Sequence, residues 1–453
     1  MANTSPCKSI VGVEFFKPIF GFLEESRFRR NCPALPDELW LEAGIRRCIG
    51  LFQSGRDFLQ NLAECHDTKI LRTTFFESLK SKRRLTLLSD ILAKVQAHMR
   101  RALPDPFADF KDLADFDLYA GDGHFIAAAS HDKAAPRKSP AKSKPVGKKT
   151  SGKKPAAKPV GRVAAFTATK YATGHLYTLD LRSHSMTHLT VSDQVERNKE
   201  HDMRTLKRQD IQALRQGAAK GRKVLYIWDR AGIDFRQWYK WKENSIYFLS
   251  REKENMKLQV LGVHPFDRAA PMNRGVIADE LVGTSVGVTL RCVTYQDPES
   301  GTVYIYLTNL PVSVPPGLVA LLYKSRWDVE KVFDEFKNKL GETKSWASTP
   351  NAKTCQARLL CLTHNLMTLM EEQIFRQTGI RNEAEIQRKT KTLAKRDECS
   401  KGKGRSGLTV LQQGIQRLTQ RTVKFIRWLK NHLDSTHSWA HCLAHLAKIY
   451  ARS

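Results

Sequence analysis

The sequence predicts an α/β chain: strands interleaved with helices at its centre, a further all-β insertion, and helical regions at both ends. Three observations carry this reading. Between Phe116 and Ser250, strand-like and helical stretches follow in the order three strands, helix, strand, helix, strand. Strand-like runs then continue to about Pro316. Next comes Leu321 to Leu340, LLYKSRWDVEKVFDEFKNKL, which divides into two faces at 100° per residue and predicts one amphipathic helix.

Taken in order, residues 1–112 read as helical. Pro36-Asp37-Glu38-Leu39 looks like a helix start, and Asp67 to Leu92 carries apolar residues at helical intervals. The basic run Lys80, Lys82, Arg83, Arg84 is either a solvated surface or a contact for a DNA end. LYAGDGHFIAAAS, from Leu118, reads as a central strand with Asp122 in its middle. Lys133 to Arg162 holds eleven Lys and Arg, no acidic residue and no aromatic one, which predicts a disordered loop that contacts phosphates without reading sequence. Strands are expected at Val163–Thr169 and His175–Thr190, with a turn at Thr173-Gly174. A helix follows from Asp202 to Gln216, then the strand KVLYIWDR with Asp229 near its end, a helix from Ile233 to Lys242, and the strand SIYFLS before Arg251. That order is the connectivity of an RNase H-like fold, whose first strand is central and whose fourth lies beside it. Asp122 and Asp229 are therefore expected close together. Asp117 and Asp234, each five residues from one of these, remain alternatives.

The runs KLQVLGV, GVTLRCVTY and TVYIYLTNL form the insertion. Beyond Leu340 a helix is expected over Ala352–Arg376, a basic stretch over Arg388–Arg405, and helices over Gly407–Leu433 and Ser438–Arg452. The domains read as 1–112 helical and binding a DNA end, 113–251 the first part of the catalytic core with the loop 133–162, 252–316 the insertion, 317–376 the rest of the core, and 377–453 a basic helical region. In that last region Leu408, Leu411, Ile415, Leu418, Phe425, Ile426 and Leu429 make an apolar stripe, either for a dimer contact or for packing on the chain's own core, with Arg421 off the stripe.

The chain has 453 residues and a formal net charge of +29, a strong attraction for nucleic acid. No apolar run approaches the roughly 18 residues that span a bilayer, and the N-terminus makes a poor signal peptide, so a cytoplasmic, nucleoid-associated protein is expected. Nine scattered cysteines read as reduced thiols, and Cys442-x2-His445 with His437 and His441 reads as a helix face rather than a metal site.

On the helix from Leu321, Leu322, Val329, Val332, Phe333, Phe336 and Leu340 form the apolar arc. Tyr323, Arg326, Trp327, Glu330, Asp334 and Lys337 form the neighbouring one. The bland reading of that second arc is a solvated face with pairs such as Arg326–Glu330. Aromatics and cations lined up about one carboxylate argue instead for phosphate and metal contacts. The spacing Y-x2-R-x3-E-x6-K, made by Tyr323, Arg326, Glu330 and Lys337, resembles the signature of bacterial insertion-sequence DDE transposases of the IS-four family. The resemblance covers about residues 115–370. It implies that Asp122, Asp229 and Glu330 are catalytic, and that Arg251 contacts the DNA end. An all-β insertion before the Glu is also part of that pattern, whereas the lysine-rich loop is not. The stretch between Lys242 and Arg326 has no Trp, which puts a hairpin route for the second strand in doubt.

Three carboxylates suit two Mg²⁺ ions per site, with Mn²⁺ as substitute, because hard cations take oxygen ligands. Such a pair activates an attacking oxygen and stabilises the leaving one at phosphorus. Arg326, Lys337, Tyr323 and Trp327 are then expected against DNA. The implied activity is cut-and-paste transposition on double-stranded DNA, at terminal inverted repeats and target, by a homodimer on DNA. The rival readings are an RNase H-like nuclease without transposition and a basic, non-enzymatic DNA-binding protein.

Overall fold

A computed structural model of the chain describes residues 9–30, 34–50, 52, 54–66, 70–129, 172–192, 202–298, 300–382, 421 and 423–451. The loop Lys133–Arg162, the strand Val163–Thr169, the stretch Arg388–Arg405 and most of Gly407–Arg421 lie outside the described residues.

Among the described residues, nine strands form one mixed sheet: β1 (Phe116–Ala127), β2 (Ala172–Asp180), β3 (Met186–Ser192), β4 (Lys223–Ile227), β5 (Ile246–Arg251), β6 (Leu258–Val263), β7 (Val276–Thr284), β8 (Thr289–Gln296) and β9 (Val303–Thr308). Their order is β3-β2-β1-β4-β5-β9-β8-β7-β6. β4 runs parallel to β1 and to β5, and the remaining neighbours are antiparallel. As the element order implied, β4 lies beside β1; β2 flanks β1 on its other side. The insertion strands extend the same sheet, through β9 pairing with β5.

Apolar residues on both faces of the sheet explain why helices cover it on both sides. Leu118, Ala120, Leu225, Ile227 and Leu249 belong to the larger core cluster. The alternate residues Tyr119, Val224, Tyr226, Phe248 and the adjoining Trp228 belong to the smaller one. The larger cluster also takes in α1 (Ile10–Glu24), α2 (Asp37–Ile49), α3 (Gly55–His66), α4 (Arg72–Ser78) and α5 (Lys82–Ala102). The smaller one packs α6 (Asp202–Lys207), α7 (Ile211–Arg215) and α8 (Phe235–Lys242). The later helices α9 (Pro316–Ser325), α10 (Trp327–Asn338), α11 (Pro350–Thr378), α12 (Val423–His432) and α13 (Trp439–Ala451) complete the larger core.

Several expectations change. The helix expected over Asp67–Leu92 is two, because Ser81 starts α5 afresh, its Oγ accepting from Arg84 N at 3.3 Å. In the basic run, Arg83 donates to both carboxylate oxygens of Asp37 at 2.7 Å, and Arg84 is buried against Trp40. Those two cations are spent inside the fold. The turn at Thr173-Gly174 is strand: the Phe125 ring on the paired strand fills the space a Gly174 side chain would need. The chain turns instead within His175–Thr190, at 181–185, where His184 takes a left-handed φ of 54°. The helix over Asp202–Gln216 is also two, the second capped by Asp210. β7 carried no sequence signal that identified it.

The helix expected over Leu321–Leu340 divides at Arg326 into α9 and α10. Ser325 Oγ donates to Leu321 O at 3.1 Å, a back-bond that bends helices, and Val329 N reaches only to Arg326 O. The apolar arc is nonetheless buried at all six positions. At the C-terminus, Phe425, Ile426 and Leu429 are buried in the chain's own core, so this part of the stripe is not a free dimer surface. Arg421 is buried as well. The described cysteines Cys48, Cys292, Cys355, Cys361 and Cys442 are free and buried. Among the described residues no helix is long and apolar enough to cross a membrane.

Candidate active site

β1 brings Asp122 to the face covered by α10, between two glycines that leave space for neighbours. A Cβ on Gly121 would lie 2.5 Å from the Trp228 ring, and one on Gly123 would lie 2.8 Å from Asp202 Oδ1. The parallel register pairs Ala120 with Ile227. Two residues further along each strand stand Asp122 and Asp229, which that register sets level. Asp229 follows the end of β4, where its Oδ1 accepts from Ala231 N at 2.7 Å and its carbonyl accepts from Ser250 Oγ at 2.8 Å. The turn therefore holds this residue from two sides.

Glu330 lies one turn into α10. Arg326, at the helix break, reaches between the carboxylates: its Nη1 is 3.1 Å from Asp122 Oδ2 and 3.7 Å from Glu330 Oε1. The i,i+4 pair thus exists, but Arg326 is buried rather than solvated. Burial, followed by the hydrogen bond and charge of Glu330, holds the Asp122 carboxyl well above its ordinary range; Arg326 pulls it down and Asp229 adds to the rise. One internal cation does not offset the crowding of these three acids. An all-oxygen donor set under that strain fits a hard divalent ion. Among the described residues, no three His, Cys, Asp or Glu side chains converge on one ion position as they stand, consistent with the guanidinium lying between Asp122 and Glu330.

Asp117 and Asp234 are engaged elsewhere. Asp117, at odd spacing from Asp122, belongs to the opposite face of β1 and pairs with Arg222 at 2.8 Å. Asp234 caps α8 through Gln237 N at 3.0 Å and pairs with Lys207.

Tyr323 is half-buried, 5.9 Å below the Arg326 guanidinium and 5.0 Å from the Tyr306 ring. Tyr306 stacks on Tyr304 at 6.2 Å, and Arg251, the last residue of β5 rather than one beyond it, lies 4.7 Å over Tyr304. Arg251 and Arg326 thus bracket one line of three tyrosines. Lys337 is exposed; the Asp334 carboxylate pairs with Lys339 at 2.8 Å instead. Trp327 is 62% exposed at the start of α10. Sequence reading missed Asp202, whose carboxyl is pushed up to about 6 by burial and by Asp229. Only the approach of α6 to Gly123 brings it there.

Behind Asp122 lies a buried polar cluster. His124 stacks on Phe333 at 4.9 Å, and its Nε2 is 3.4 Å from Glu342 Oε2. Tyr177 OH donates to Glu342 Oε1 at 3.2 Å. Burial pushes Glu342 up to about 8 and His124 down to about 4, so at neutral pH this contact joins two uncharged groups. The folded chain therefore holds a proton on Glu342 that the unfolded chain releases near 4.5. That contribution to stability is complete below the unfolded value and is lost as pH rises towards about 8. Glu342→Gln is expected to flatten this decline, by on the order of a few kcal/mol, in urea unfolding across that range. An unchanged pH profile would remove Glu342 as its source.

Residues 120–366, more than half of the chain, match the family model described as a transposase DDE domain. No curated protein matches the chain.

Proposed function

Because the chain belongs to the transposase DDE-domain family, we propose that it is a cut-and-paste DNA transposase of the IS-four type, with an RNase H-like core. It cleaves at element ends and joins the freed 3′-hydroxyl to target DNA. The observation that best supports this is the level position of Asp122 on β1 and Asp229 just past the end of the parallel β4, with Arg326 touching both Asp122, at 3.1 Å, and Glu330, at 3.7 Å.

Asp122, Asp229 and Glu330 would hold two Mg²⁺ ions, which supply Lewis-acid stabilisation of the attacking and leaving oxygens. The chain's own residues do the rest. Arg251 and Lys337 hold phosphates flanking the cut, Tyr323 offers its hydroxyl to the same strand, and Trp327 offers an exposed ring to a base. Asp122 would hold an ion only as the carboxylate, so activity is expected to rise with pH through the range where that carboxyl titrates.

The experiment uses duplexes made from the inverted repeats flanking the gene, with a target plasmid and Mg²⁺. Cleavage followed by joining supports transposition. Cleavage without joining favours the RNase H-like nuclease, and binding with neither favours the non-enzymatic reading.

Two chains are needed to join two ends, so a homodimer on DNA is part of the proposal. Its contact is sought by light scattering of the full chain with end DNA. Truncation before Gly407 is unsuitable, because it would strip Phe425, Trp428 and Leu429 from the core. Deleting residues 133–162 is expected to spare cleavage and to lessen the dependence of random-DNA affinity on salt, by about 0.9 in the log–log slope for each phosphate that the tract neutralises. An unchanged slope would make this tract a spacer.

A further inference from the structure

Arg326 stands in a position that a phosphate-holding residue does not need. Its side chain is about nine-tenths buried, and its Nη1 faces Asp122 Oδ2 at 3.1 Å and Glu330 Oε1 at 3.7 Å. Both belong to carboxylates that the proposed function assigns to metal. An arginine held there satisfies the same carboxylates by charge and hydrogen bond that a divalent ion would satisfy by ligation. A lone pair that accepts from the guanidinium is not available to ligate the ion, and the two cations repel each other. We propose that Arg326 competes with the divalent cation for Asp122 and Glu330, so that metal loads fully only when DNA phosphate draws the guanidinium away.

The inference rests on the metal-site reading and adds an order of assembly to it. Three features favour such an exchange. Arg326 lies at the break between α9 and α10, where the helical hydrogen bonds are already interrupted. Its guanidinium has Tyr323 beneath it as a second resting place, at 5.9 Å from the ring. Beyond Tyr323 the tyrosine line leads to Arg251, so phosphate held by Arg251 would approach along that line. The competition also has a use: a chain that carries metal poorly without DNA does not cut at random.

The test is titration of Mn²⁺ into the full chain without DNA, followed by electron paramagnetic resonance, for the natural sequence, Arg326→Gln, Arg326→Lys, and Arg326→Gln with Asp122→Asn. The expected result is at least tenfold tighter Mn²⁺ binding in Arg326→Gln and an intermediate gain in Arg326→Lys. The gain should vanish when Asp122→Asn is added. If Arg326→Gln does not fold, a gain in Arg326→Lys supports the proposal and none overturns it. Equal or weaker binding in a folded Arg326→Gln overturns the competition and leaves the metal site standing. A gain that survives Asp122→Asn also overturns it, since the ion would then be elsewhere. No saturable Mn²⁺ binding by any of the four overturns the metal-site reading together with it.

Discussion

Alanine at Asp122, Asp229 or Glu330 is expected to eliminate both strand cleavage and strand transfer, by a factor on the order of 10³ or more, while binding to element ends stays nearly unchanged. The reason is that ligands of a catalytic ion act on charge that develops in the transition state, and contribute little to the ground-state complex. The three variants should differ in a second respect. Asp122 is crowded by Glu330 and Asp229 and only partly relieved by Arg326. Removing its carboxyl relieves like-charge repulsion but leaves Arg326 with Glu330 as its remaining partner here, at 3.7 Å. Cleavage assays in Mg²⁺ beside gel-shift binding decide the matter. Substantial activity in any one variant would remove that residue from the site. Asp202, beside Asp229 and Gly123, would then be the replacement to examine, since Asp117 and Asp234 are held in ion pairs.

Arg421→Ala is expected to destabilise the chain by about 3–5 kcal/mol, the cost of breaking a buried ion pair by removing one partner. Arg421 Nη1 lies 2.6 Å from Glu335 Oε2, its Nε 2.7 Å from Glu371 Oε2, and its Nη2 2.8 Å from Thr368 Oγ1. Burial alone would push the Glu335 carboxyl up; Arg421 and His364 outweigh it and hold the group below its ordinary range. Without Arg421, Glu335 keeps His364 Nδ1 at 2.9 Å and loses its strongest counter-charge. Glu335 is on α10, five residues from Glu330, so the same clamp fixes the helix that carries Glu330. Pairing Arg421→Met with Glu335→Leu should recover part of the loss, because Glu335 is then not left buried as an unpaired charge, while the partly exposed Glu371 still loses its partner. Urea unfolding of the single and double variants measures it. A loss under about 1 kcal/mol in the single variant would show that water or another cation replaces the guanidinium.

What the sequence determined by itself is the chemistry-bearing pattern and its order. Runs of small and apolar residues and period-3.6 spacing are local properties, so the strand of Asp122, the strand that leads to Asp229 and the apolar arc of the Glu330 helix were legible without a partner. The spacing of Tyr323, Arg326, Glu330 and Lys337 was legible for the same reason. Register and approach are not local. Glycine at 174 reads as a turn until the Phe125 ring across the strand claims its space, and 181–185 turns with neither Gly nor Pro. Asp117 and Asp122 are equivalent as letters; the strand's alternation and the Arg222 partner separate them. Arg326 reads as a hand for phosphate until the helix break carries it between two carboxylates. Arg421 reads as surface charge until α10 and α11 close around it. In each case the deciding partner is tens to hundreds of residues away in the chain, and only tertiary packing brings it within reach of a hydrogen bond or a van der Waals contact.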